Sequence, residues 1–101
     1  MTIRIKPFNV LDYLTDEETI KEYIRLAVED GEDYLTHALN DACMAISKLI
    51  HCEGVQLEMV YDGSAGVFVV TSPTLHGLVV EAGIDSLIHE IRTSIEDLKG
   101  A

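Results

Sequence analysis

At Glu53-Gly54 the apolar residues of this chain change their spacing, and that switch limits the fold more than any other feature. Before it, apolar side chains recur at helical intervals; after it, they alternate. A 3.6-residue stripe and a 2-residue face cannot be buried by one kind of element, so helix precedes sheet. Ile20, Tyr23, Ile24, Ala27 and Val28 form the first helical stripe. Thr15 with Glu18 has the capping-box spacing that would open this helix, and Gly31 would stop it. A second helix runs from about Glu32 to Ile50, with Leu35, Ala38, Leu39, Ala42, Cys43, Ile46, Leu49 and Ile50 on one broad face. The short Asp30-Gly31 break between them predicts an antiparallel helical hairpin.

Beyond the switch, Val55, Leu57, Met59 and Tyr61 alternate with Gln56, Glu58 and Val60 in a first half-buried strand. Asp62 to Gly66 reads as a hairpin turn, Val67 to Thr71 as a second strand of nearly continuous β-formers, and Leu78 to Ala82 as a third. Asp85 is the expected N-cap of a last helix whose stripe is Leu87, Ile88, Ile91, Ile95 and Leu98, ended by Gly100. The predicted fold is α+β. An N-terminal helical hairpin with an arm occupies residues 1–52, and a three-stranded antiparallel β-meander with a C-terminal helix occupies residues 53–101, in one compact domain. The arm, residues 1–14, reads as an extended segment that docks Phe8, Leu11, Tyr13 and Leu14 onto something else.

Charge decides which partners the surface suits. The chain carries 18 acidic and 7 basic side chains for a formal charge of -11. The surplus is shared by both halves, with Arg4, Lys6, Lys21, Arg25, Lys48, Arg92 and Lys99 scattered singly. Direct nucleic-acid binding needs clustered Lys and Arg to displace condensed counterions, and an anionic membrane surface would repel this chain. No apolar run approaches the roughly 20 residues of a spanning helix. The segment Thr2, Ile3, Arg4, Ile5, Lys6, Pro7 lacks a signal-peptide hydrophobic stretch, so a cytoplasmic location is expected.

The residues capable of chemistry each have an ordinary explanation. Cys43 and Cys52 are too few for a disulfide framework and read as reduced thiols. His51 and Cys52 are adjacent, so their side chains diverge, and shared zinc ligation with Cys43 would need a partner from elsewhere. His37, His76 and His89 complete no motif. Glu58, Asp62 and Glu81 could meet across the sheet as ribonuclease-H-like carboxylates. Asp62, however, opens a Gly-rich turn, where Asp bonds its own backbone, and the alternation of Glu58 and Glu81 with apolar residues points them to solvent. No catalytic residue, cofactor or metal is expected.

Two resemblances then bear on function. The run from Pro7-Phe8-Asn9-Val10-Leu11-Asp12-Tyr13-Leu14 through Asp16-Glu17-Glu18, Tyr23, Ala27-Val28-Glu29-Asp30-Gly31 and Ala38-Leu39-Asn40-Asp41 resembles the N-terminal part of HigA-like addiction-module antidote proteins. In that family two such helices precede a DNA-binding helix-turn-helix. Here Leu49-Ile50-His51-Cys52-Glu53-Gly54 leads into strands, so the resemblance carries over the hairpin and not DNA recognition. Val60-Tyr61-Asp62, Ala65 to Ser72, Gly77 to Ala82 and the helix opening at Asp85-Ser86-Leu87-Ile88 are similar to the HicB-like antitoxin fold and to a related small family of unknown function. The HicB-like resemblance implies a degenerate ribonuclease-H-like layer of three strands and a helix. That layer's last strand has no counterpart in the predicted elements, and neither does the DNA-binding module that accompanies it.

Together these readings imply a non-enzymatic, acidic, antitoxin-like regulator that neutralises a basic protein partner, such as a toxin ribonuclease, by direct binding. The alternative is a phage or mobile-element inhibitor that mimics nucleic acid on a host defence complex, of the anti-CRISPR or anti-restriction type. Candidate partner-binding residues are Phe8, Tyr13, Asp16, Glu17, Glu18, Glu29, Asp30, Glu32 and Asp33. Unpaired sheet edges also make homodimerisation an expected possibility.

Overall fold

The computed structural model describes residues 10–52 and 54–100. Its elements are α1 (Val10–Tyr13), α2 (Glu17–Asp30), α3 (Glu32–Leu49), β1 (Glu58–Asp62), β2 (Val67–Thr71), β3 (Val79–Ala82) and α4 (Leu87–Gly100). The strands form an antiparallel meander in the order β1-β2-β3. Helices followed by a three-stranded sheet and a closing helix is the α+β layout that the change of period predicts.

Both ends of the hairpin follow from local chemistry. α2 opens one residue later than the Thr15 and Glu18 spacing suggests. Asp16 is the cap, and its Oδ1 accepts the Thr19 N–H at 2.8 Å. A carboxylate beats a hydroxyl here because it also meets the positive end of the helix dipole. At the other end Gly31 adopts φ 109, a left-handed value that a side chain would strain. Its N–H closes α2 on the Ala27 carbonyl, and its own carbonyl accepts the Leu35 N–H of α3. The Tyr23 hydroxyl pins the two helices together, donating to Asp41 Oδ2 at 3.1 Å and lying 3.4 Å from the Tyr34 hydroxyl. Burial, and then the bonds to Tyr34 and Asp41, raise the Tyr23 pKa. Tyr23→Phe is expected to lower stability by about 1 kcal/mol, read as a shift in the urea midpoint without a change in slope.

Three local expectations are corrected. The arm is not extended over residues 10–13, which form a helical turn; Leu14 is buried and Leu11 packs on the core, while Tyr13 stays exposed. Spacing of three places Leu11 and Leu14 on one side of that turn, and α1 packs against α3. Phe8 lies outside the described residues. Second, β1 begins at Glu58, not Val55. The backbone of the preceding residues is held elsewhere: Val55 donates to the Cys52 carbonyl, the Ser47 hydroxyl donates to the Val55 carbonyl, and the Gln56 N–H donates to Thr74 Oγ1. Third, Ser86 rather than Asp85 opens α4, since its carbonyl accepts the Glu90 N–H. Asp85 instead meets Arg25 of α2 at 3.0 Å, a charge-assisted bond across the fold.

One apolar core serves both halves. Met59, Phe68, Val70 and Val80 line the inner face of the sheet, and Tyr61 stacks on Phe68 with ring centroids 4.8 Å apart. Ile20, Ile24, Leu39 and Ile46 meet this face from the hairpin, and Leu87, Ile88, Ile91 and Ile95 meet it from α4. Among the described residues, no helix is long and apolar enough to cross a membrane.

Candidate protein-binding surface

The acidic residues expected to contact a partner fall into two groups. Asp16, Glu17 and Glu18 stand at the start of α2, near the exposed Tyr13. Asp16 is committed to capping, while Glu17 and Glu18 lie 3.5 and 4.0 Å from Lys21. Glu29 and Asp30 close α2 and, with Asp33 in the first turn of α3, surround Gly31. Glu32 begins α3 at the same junction. Fourteen helical residues separate the two groups by roughly 20 Å at 1.5 Å each. No small ligand bridges that distance. A protein surface does, because an ordinary interface covers roughly 800 Å² per partner.

The second acidic and apolar surface is one that the sequence reading assigned only to solvent. On the outer face of the sheet the register sets Glu58, Thr71 and Val79 in one row, Val60, Val69 and Glu81 in the next, and Asp62 beside Val67 in the third. Val60 and Val79 are 63% and 68% exposed, the largest values among the exposed large hydrophobic residues. Val67 and Val69 on the central strand, with Val60, Val79 and the three carboxylates on the two edge strands and no basic side chain in the three rows, make an apolar strip bordered by negative charge. A signal for it exists in the sequence: Val67 to Val70 is apolar on both faces, whereas a strand with one wet face alternates.

The same register answers the question of convergent carboxylates. Glu58 and Asp62 are four residues apart on one strand, roughly 13 Å, and Glu81 lies two strands away, roughly 10 Å. They share a face without meeting at a point. Asp62 is held below its ordinary pKa by the Ser64 hydroxyl, which donates to Oδ1 at 2.6 Å, and by the Ser64 N–H. His37 lies 3.9 Å from Asp41, and the other histidines are exposed singly. Among the described residues, no three His, Cys, Asp or Glu side chains form a group able to hold a metal ion. Cys43 is buried on α3 and Cys52 is half-buried, both as free thiols.

No curated protein and no solved structure matches this chain. Residues 55–100, which comprise the whole sheet and α4 and exclude the helical hairpin, match the family model described as a domain of unknown function, DUF1902.

Proposed function

We propose that this protein is a non-enzymatic, antitoxin-like regulator that acts in the cytoplasm and neutralises a basic partner protein, such as a toxin ribonuclease, by binding it directly. The observation that carries this reading is the outer face of the sheet, where Glu58, Asp62 and Glu81 frame Val60, Val67, Val69 and Val79 without a cation among them. A basic protein with an apolar centre complements that face in both charge and polarity. Charge complementarity also accelerates encounter and rejects acidic competitors. The resemblance of the hairpin to HigA-like proteins and of the sheet unit to HicB-like proteins supports a toxin partner.

Where a small basic protein is encoded beside this chain, co-expression of the two is expected to restore growth that the basic protein alone arrests. If no such neighbour exists and the chain instead blocks a host defence nuclease, the nucleic-acid-mimic reading replaces this one. Pairing Glu17→Lys with Glu18→Lys is expected to weaken partner affinity about tenfold or more. The same pair should move folding stability by only about 1 kcal/mol, from the helix dipole. Calorimetric titration and urea unfolding separate the two effects, and an unchanged affinity removes the start of α2 from the interface.

A further inference from the structure

Two adjoining cavities, of about 770 and 430 Å³, lie end to end between α3 and β1. Glu58 and Val60, from the outer face of β1, and Met59 and Tyr61, from its inner face, all border them. Space touched by both faces of a strand lies along its edge. That edge of β1 pairs with no other strand among the described residues, because β2 occupies the opposite side. The far wall is one ridge of α3. Thr36, Asn40, Met44 and Lys48 are all exposed, recur at every fourth position and border the cavities in turn. The two walls match in length. Thr36 to Lys48 spans roughly 18 Å at about 1.5 Å per residue, and Leu57 to Gly63 roughly 20 Å at about 3.4 Å. The cavities thus form one straight slot that holds about six residues of extended chain.

A strand laid in such a slot takes up the unpaired N–H and C=O groups of the edge, and the side chains around it decide which strand fits. β1 reads Glu58-Met59-Val60-Tyr61-Asp62, with a carboxylate at each end and no Lys, Arg or Pro. An acidic strand sets like charges against both ends, whereas a basic one is drawn in. Lys48 stands at the far end, where its neighbour Ser47 bonds the Val55 carbonyl ahead of the strand. A second copy of this chain meets the same objection as any acidic strand. The one antiparallel register that pairs all 5 residues of β1 with their copies is centred on Val60, and it sets Glu58 opposite Asp62 twice. The inner side of the slot is apolar, with Met59, Leu39 and Met44, and a methionine adapts to differing apolar side chains.

We propose that β1 and α3 clamp an extended segment of the basic partner protein, which joins the sheet as a strand beside β1. Its basic residues lie on the outer face next to Glu58, Val60 and Asp62. Its apolar residues alternate with them and turn inward toward Met59, Tyr61 and Met44. Main-chain bonds to the edge supply affinity, and the two carboxylates select a basic strand over an acidic one. The inference rests on the reading of a basic partner and adds where that partner binds and in what conformation.

Amide exchange of the full chain, read by NMR with a capped peptide of alternating lysine and valine, tests the slot directly. The peptide is expected to slow exchange about tenfold or more at the β1 amides that do not bond to β2, and to leave β3 unchanged. A glutamate–valine peptide of equal length should slow neither. Glu58→Lys with Asp62→Lys should weaken the lysine–valine peptide about tenfold or more. Asn40→Trp, at an exposed helix position, should fill the slot and weaken it as much, with unchanged far-ultraviolet dichroism. No protection of β1, equal protection by both peptides, protection spread over β3, or unaltered affinity in Asn40→Trp overturns the proposal. Protection of the same amides in the free protein overturns it too, giving the slot to a second copy if dilution removes it and to this chain itself if dilution does not. Growth rescue tests the antitoxin reading separately: rescue by a complex whose β1 edge exchanges freely overturns this inference alone.

Discussion

Ile46→Ala is expected to destabilise the protein by about 3 to 4 kcal/mol and to unfold both halves in one transition. Ile46 is fully buried on α3, the helix that packs against α2 on one side and β1 on the other. Removing its side chain leaves a cavity whose walls belong to the hairpin and to the sheet, so neither half relaxes alone. A domain of this length has roughly 5 to 15 kcal/mol in total, and the loss takes a large share of it. Urea unfolding followed by both far-ultraviolet dichroism and tyrosine fluorescence checks the claim. Two separated transitions would mean that residues 10–52 and 54–100 fold independently, contrary to a common core. Leu26→Ala, at an exposed α2 position, should shift stability by less than about 0.5 kcal/mol.

Alkaline pH should expose the second large effect. Burial on α3, with a smaller contribution from the Glu58 carboxylate, pushes the Cys43 thiol from its ordinary 9.0 up to about 12. In the unfolded chain the thiol loses its proton from about pH 9, whereas the folded protein keeps it until about pH 12. Between those values the folded state binds more protons, so stability falls as pH rises, and below pH 9 this group has no effect. By pH 11 the loss amounts to about 2 to 3 kcal/mol. Tyr23 acts in the same direction above its ordinary 10.0, for the same reason of burial. Cys43→Ala should remove the thiol's share, so that urea midpoints of the variant and the parent converge above pH 9. Parallel pH profiles for the two proteins would show that Cys43 ionises as freely in the fold as in the unfolded chain.

The elements were legible where one physical rule dominates. The stripes Ile20-Ile24-Ala27 and Leu87-Ile88-Ile91-Ile95 serve one apolar face each, and both helices form as the spacing predicts. Element ends were less legible because neighbouring residues compete for the same role. Thr15 and Asp16 both suit a helix cap, and the stronger acceptor takes it. Asp85 was available to cap α4, but Arg25, sixty positions earlier, claims its carboxylate. Val55 alternates like a strand residue, yet Ser47 and Cys52 bind its backbone. The acidic residues of the hairpin and their division between the two ends of α2 were legible, because the cap at its start and Gly31 at its end bracket one helix. The outer face of the sheet depends on register, which brings Val60, Val69 and Glu81 into one row from three strands.

The meander's pairings are also local in sequence. Met59 meets Val70, and Val70 meets Val80, each about ten positions along the chain, so closing these loops costs little entropy. The contact of Arg25 with Asp85 closes sixty. The meander therefore closes by short loops, and so does the junction of α3 with the sheet unit, where the Ser47 hydroxyl meets the Val55 carbonyl 8 positions on. The sheet pairings all lie within residues 55–100, the part that matches a family model. Because the sheet's strand pairings all close within that unit, one sheet unit can serve under different helical covers.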